Sequence, residues 1–274
     1  MTDNDQRRRD WMEGHLDWAA QELGVERVGT PVHTSRFHSV GCRALDASED
    51  AWLRVVYDDP EWGDGDYLGN NVAANDIQGV PKPTVKRWSE WEDNGRRMRG
   101  EVSTFVADAA ISTGMTLAAE PALSEQWITD LDQALQALST HPVPDSGVDA
   151  SSVNDGIRAF FGIDVDIASV RWTAAHCDLH WGNLTAPRLV ILDWETWGRA
   201  PAGYDAASLL CATLTYPDSA RRIRHALAKF LETPSGRIAV LAAAVRFLRF
   251  ADGGELTDLA LPVRRYALEI IDQL

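Results

Sequence analysis

The apolar residues shift from mainly strand-like to mainly helical spacing near residue 108, and that change dictates a fold in two parts. Residues 5–23 come first, with Trp11, Leu16, Trp18, Ala19 and Leu23 at helical spacing and Gly24 as the stop. The next runs are short and strand-like. Residues 40–45 and 51–57 read as strands joined by a polar turn. Residues 84–91 and 97–106 read as a hairpin, because Asn94-Gly95 supplies the two positive-φ positions of a type I′ turn. Between these pairs lie a loop over 58–66, dense in acid, Gly and Pro, and a short helix ending near Gly79. Beyond residue 108 the spacing is helical over 123–138, 152–161 and most of 203–274, with a strand-rich section over 170–194. The reading is an α+β chain with domains at 1–108 and 109–274.

Charge narrows the partners. The chain carries 26 basic and 41 acidic residues, a net of −15, which repels phosphate backbones and anionic lipids. No nucleic acid and no membrane is expected as a partner, and a cationic small molecule is favoured. The longest apolar run, residues 238–245, falls far short of the roughly 18 residues that span a bilayer. The N-terminal residues carry charge with no apolar core behind it, so no secretory signal is expected. Cys42, Cys177 and Cys211 are few and widely spaced, as suits reduced thiols in a cytoplasmic protein. No feature requires an obligatory protein partner.

The chemistry concentrates in residues 171–205. His176-x-Asp178-x-His180-x-x-Asn183 is followed by a continuous β-type run, residues 189–192, that ends in Asp193. Asp178, Asn183 and Asp193 are thereby offered by a loop and a strand end. Oxygen donors of this kind suit Mg²⁺, which takes one or two carboxylates and shares the substrate phosphates. Asp178 is also available to orient or deprotonate a hydroxyl. A competing reading takes His176, Asp178 and His180 as one face of a strand that binds zinc or iron for hydrolysis.

The stretch HCDLHWGNL with VILDWE resembles the HGDxHxxN and IDWE motifs of aminoglycoside phosphotransferases and choline-kinase-like enzymes. Close motif agreement spans about residues 172–210, and the strands, hairpin and helices follow in the family's order. The resemblance implies a protein-kinase-like two-lobe fold, with a small antiparallel sheet in the N-lobe and a larger, mainly helical C-lobe. It also implies ATP (or GTP) and Mg²⁺ as cofactors, with a hydroxyl-bearing small molecule as acceptor. It makes Asp178 the catalytic Asp, and Asn183 and Asp193 the metal ligands. His176 and Asp205 would then brace the catalytic loop, and residues 105–108, with Phe105 and Ala107, would form the hinge for the nucleotide base.

Arg54 stands where the family has the phosphate-orienting Lys. The helix that should supply its carboxylate partner reads Leu68-Gly69-Asn70-Asn71, so Asp66 is the nearest acid. The phosphate loop has one glycine, which leaves Ser35, Arg36 and Ser39 as candidate phosphate contacts. On the acceptor side, Glu195 flanked by Trp181 and Trp197 would attract an ammonium group. The departures at Arg54 and its helix keep a second expectation open, a kinase-like binding module without turnover.

Overall fold

The structure, a computed structural model, describes residues 3–34, 37–58, 66–143 and 145–274. The chain forms two compact units. One holds Met1–Asp76 and Pro83–Ala107, and the other Ile77–Lys82 and Asp108–Leu274. The short segment Ile77–Lys82 thus belongs with the C-terminal part, a return of the chain that a linear reading of periodicity has no means to register.

The first unit is a helix on an antiparallel sheet. Its strands are β1 (Glu26–Arg27), β2 (Val32–His33), β3 (Ser39–Asp46), β4 (Glu49–Tyr57), β5 (Val85–Asp93) and β6 (Arg96–Thr104). They lie in the order β1-β3-β4-β6-β5, with β2 also on β3. Asn94 and Gly95 have φ of 50° and 74°, the left-handed pair that a type I′ turn requires between β5 and β6. Strand alternation sends Leu53, Val55, Met98 and Val102 to one face, where they pack with Met12, Leu16 and Ala19 of α1 (Asp3–Glu22). The other face carries Trp52 and the polar side chains of residues 54, 99, 101 and 103 among its positions, and α2 (Asn70–Ala73) reaches it through Asn71.

The second unit is mainly helical: α3 (Glu125–Ser139), α4 (Ala150–Phe161), α5 (Tyr204–Cys211), α6 (Pro217–Ala226), α7 (Ala228–Leu231), α8 (Pro234–Asp252) and α9 (Ala260–Ile271). Side-chain caps start several of them. Ser124 Oγ accepts from Trp127 N at 3.1 Å, and Thr233 Oγ1 accepts from Gly236 N at 2.9 Å. The apolar run 238–245 becomes the middle of α8. It is buried nearly all round, as expected for a helix at the centre of a bundle. Among the described residues no helix is long and apolar enough to cross a membrane.

Two strands lie within this helical unit, β7 (Trp172–Ala175) and β8 (Gly198–Pro201), paired antiparallel. The sequence expectation of a strand over 189–192 is corrected here. That run makes one isolated antiparallel bridge, Ile191 with Leu184, and Ile191 N donates elsewhere, to Pro81 O at 2.8 Å, so no ladder propagates. The true partner of β7 begins with Gly and ends with Pro, residues that weaken a strand signal.

Candidate active site

The loop between β7 and β8 carries the motif, and its shape is set by backbone contacts from below. His176 is fully buried. Its Nε2–H donates to Leu192 O at 2.8 Å, and its Nδ1 accepts from Asp178 N at 3.3 Å, an assignment that follows from the partners' roles. Both ring nitrogens are engaged, so His176 has no lone pair for a metal. Among the described residues no group of three His, Cys, Asp or Glu is placed to hold one. The hydrolase reading loses its ligand set.

Asp205, on the first turn of α5, clamps the same loop. Oδ2 accepts from His176 N at 2.7 Å and Oδ1 from Cys177 N at 3.0 Å. Burial pushes the Asp205 carboxyl up, against the pull of His176 and of those two N–H groups. The clamp holds Cys177 at φ 65°, a left-handed conformation that costs a non-glycine residue roughly 1–2 kcal/mol. Gly203, just ahead of α5, has φ 98°, and a Cβ there would stand 2.7 Å from Phe230 O. Only glycine fits that approach.

Asp178 therefore projects from a fixed loop. One of its carboxylate oxygens, Oδ1, accepts from the Arg246 guanidinium, which also donates to Cys177 O at 3.3 Å. Oδ2 lies 3.5 Å from His180 Nε2 and 3.4 Å from Asn183 Nδ2. His180 Nδ1 accepts from Gly182 N at 3.1 Å, which leaves Nε2–H to face the carboxylate. Burial alone would push this carboxyl up. The His180 hydrogen bond and the Arg246 charge outweigh it and hold Asp178 well below the usual carboxylate range. Arg246 is a residue the sequence reading missed. Its signal was present: it is the single charge in the otherwise apolar run 238–248, and a charge so placed needs a partner.

Asn183 Nδ2 donates to Asp178 O at 2.9 Å, so the amide oxygen is the group left to act as a donor atom toward a metal. Its backbone O accepts from Leu192 N, which ties it to the segment ending in Asp193. Asp193 is exposed and has φ 61°, a conformation Asp tolerates better than most residues. One carboxylate and one amide oxygen make an open, oxygen-only set. That fits Mg²⁺ sharing substrate phosphates rather than a closed protein cage.

The acceptor-side residues require a correction. Trp181 is 0% exposed, its Nε1 donates to Thr213 Oγ1 at 3.0 Å, and its ring stacks with Trp127 at 6.2 Å. Trp197 and Glu195 are buried as well. All three side chains belong to the unit's packed interior. They do not wall an acceptor pocket.

In the first unit, Arg54 sits mid-strand on β4, opposite Gly41 of β3 and Glu101 of β6. Ser39 opens β3 and is buried, its N–H donating to Thr34 Oγ1 at 3.0 Å. Ser35, Arg36 and the Asp66 side chain lie outside the described residues. Gly41 is used for packing: a Cβ there would meet the Trp52 ring at 2.6 Å. Phe105 is half-buried with the Arg43 guanidinium 5.6 Å from its ring centre, and Ala107 is exposed.

No protein-family model matches the sequence, and no curated protein does. Solved structures match the fold. A thermostable mutant of aminoglycoside phosphotransferase APH(4)-Ia, in ternary complex with AMP-PNP and hygromycin B, superposes with a TM-score of 0.64. Its sequence is 11% identical, over 94% of this chain and 97% of that one. This chain has the protein-kinase-like fold. The macrolide 2'-phosphotransferase MphH from Brachybacterium faecium gives a TM-score of 0.57 at 13% identity, covering 92% and 98% of the two chains. The GDP and kanamycin complex of APH(2")-IIia gives 0.51 at 13%, covering 91% and 93%. At such identities the likeness is one of architecture: a small antiparallel sheet unit and a larger helical one, as the motif resemblance implied.

Proposed function

We propose that this protein is a nucleotide- and Mg²⁺-dependent phosphotransferase that moves the terminal phosphoryl group of ATP or GTP to a hydroxyl of a small molecule. The observation that carries this reading is the state of Asp178. It is a carboxylate kept ionised on a rigid loop, bounded by Arg246 and His180 and joined through Asn183 to the segment of Asp193. Solved neighbours of the same fold are antibiotic phosphotransferases by name, with AMP-PNP or GDP and an aminoglycoside bound in two of them.

In this reading Asp178 accepts the hydrogen bond of the acceptor hydroxyl and aligns its oxygen on the phosphorus. The new oxygen–phosphorus bond forms as the bond to the leaving nucleotide diphosphate breaks, and the hydroxyl proton passes to Asp178 and on to solvent. A carboxylate of such low basicity works mainly by orientation, which suits the loose transition state of phosphoryl transfer. Asn183 Oδ1 and the Asp193 carboxylate would hold Mg²⁺, whose chemistry is to neutralise charge on the phosphates. Arg54 would orient those phosphates, with Ser39 and Ser35 as further contacts, and Phe105 and Ala107 would meet the base. The net charge of −15 raises the local concentration of cations, so a cationic acceptor is favoured among hydroxylated compounds.

The test is incubation with Mg·ATP or Mg·GTP and a panel of aminoglycosides, macrolides, amino alcohols and neutral sugars. Mass spectrometry then looks for the gain of one phosphate. Transfer that disappears in Asp178→Asn supports the reading; no transfer to any acceptor, with no thermal stabilisation by Mg·nucleotide, refutes it. One observation favours a second reading, a binding module without turnover. The only glycine of the phosphate segment, Gly41, is committed to the Trp52 ring. Stabilisation by Mg·nucleotide without transfer would select it.

A further inference from the structure

In kinase-like folds a strand cation is oriented on the phosphates by a carboxylate from a neighbouring helix. Here the strand cation is Arg54, and residues 68–71, where that carboxylate would lie, contain none. The sheet supplies one from elsewhere. The β4–β6 register sets Arg54 directly opposite Glu101. Leu53, Val55, Met98 and Val102 fill the core under α1, so Arg54 and Glu101 both project from the opposite face. Directly opposed residues of an antiparallel pair have Cβ atoms about 4.5–5.5 Å apart, within reach for two such side chains.

Glu101 is 3% exposed, and a buried carboxylate must be compensated. Its Oε1 accepts from Arg99 Nε at 2.7 Å. Arg99 is shared, however, since its Nη1 donates to Glu90 Oε1 at 2.6 Å. Two carboxylates therefore divide one guanidinium, and the strand register places a second guanidinium, that of Arg54, opposite Glu101 on the same face. The other Glu101 oxygen, Oε2, accepts from Asn71 Nδ2 at 3.0 Å. Asn71 belongs to α2, the helix that lacks its own acid. The acid nearest in register to Arg54 thus stands on a strand, and α2 holds it through an amide.

We propose that Glu101 is the positioning residue for Arg54, aiming the guanidinium at the nucleotide phosphates from the neighbouring strand while Asn71 couples it to α2. This assignment rests on the nucleotide-binding reading above. Calorimetric titration of the full chain with Mg·AMP-PNP and Mg·GMP-PNP tests it, with adenosine and guanosine as controls that carry no phosphate. Glu101→Gln is expected to weaken the triphosphate analogue about tenfold or more, the worth of one charge-assisted contact, and to leave the nucleoside unchanged. In an Arg54→Met background the same change is expected to do nothing further. The exchange Asn71→Asp with Glu101→Gln keeps an acid–amide pair and the total charge, and is expected to restore most of the affinity.

Equal losses for nucleoside and triphosphate, additive losses in the Arg54→Met background, or an exchange variant no better than Glu101→Gln would each overturn the assignment. Where Glu101→Gln alone does not fold, the exchange variant decides: near-parental triphosphate affinity supports the role, and its loss with nucleoside binding intact removes it. A parent protein that binds neither nucleotides nor nucleosides refutes the nucleotide reading itself, and this assignment with it.

Discussion

Replacing Arg246 by Met would leave the Asp178 carboxylate in place without its guanidinium. The side chains are 22% and 25% exposed, so solvent reaches about a quarter of each. Removing one partner of a fully buried pair costs about 3–5 kcal/mol, because the survivor is left charged and uncompensated. With partial solvent access the expected cost is about 2–3 kcal/mol. For a chain of this size that lowers Tm by roughly 4–12 °C. Asp178→Asn is expected to destabilise too, since it strands the arginine. The double variant should cost less than the sum of the singles, by about 1–3 kcal/mol.

The pH dependence gives an independent check. The folded-state pKa of Asp178 is depressed in the parent, so its contribution is fully present above the unfolded carboxylate value of about 3.9 and is lost as pH falls through the folded value. In Arg246→Met the guanidinium's pull is lost while burial and the His180 hydrogen bond remain, so the carboxyl is held down less and the variant loses less stability than the parent as pH falls. The gap between parent and variant is therefore widest near neutrality and narrows in acid. Urea denaturation of the three variants and the parent at pH 7 and pH 4 measures both effects. Additivity within about 0.5 kcal/mol, or a gap that widens in acid, would refute the pairing argument.

Asp193→Ala should weaken Mg²⁺-dependent nucleotide binding more than Asn183→Ala does, because a carboxylate neutralises metal charge and an amide does not; titration with and without Mg²⁺ compares them. Arg54→Lys is expected to keep part of the transfer activity and Arg54→Ala very little, whereas two near-parental kinetic profiles would remove Arg54 from the phosphates. Cys177→Gly relieves a left-handed residue while freeing the unfolded chain, so thermal denaturation should find it within about 1 kcal/mol of the parent. Gly203→Ala meets Phe230 O at 2.7 Å with φ at 98°, and should lower Tm and transfer activity together by displacing Asp205.

What was legible in the sequence was local. The helix stops, the Asn94-Gly95 turn and the strands around Leu53 and Val55 each follow from a few neighbouring residues, and the structure forms them there. The motif His176 to Asn183 was legible because its residues lie within one loop. The contacts that make it a site were not. Arg246 reaches Asp178 across 68 positions, and Glu101 stands opposite Arg54 only through the strand register. Trp181 and Trp197 misled for a related reason. Sequence adjacency to a functional residue says nothing of direction, and both rings turn inward. The strand at 198–201 was hidden by its own Gly and Pro, and the apolar run at 189–192 took its place in the reading.

The shape of the loop is imposed from α5 rather than by the residue at its bend. A left-handed position is normally given to glycine, yet Cys177 occupies one here, with its thiol pushed up by burial. The strain persists because Asp205 takes the N–H groups of residues 176 and 177 at once, and because His176 is pinned to Leu192 O on the far side. Two charge-assisted bonds of this kind contribute about 1.5–3 kcal/mol each, which exceeds the cost of one left-handed residue. The bend therefore tolerates a change at position 177, whereas position 203, which fixes where α5 begins, has no such compensation. Gly203 should thus limit substitution in this loop more tightly than the residues of the motif that flank Asp178.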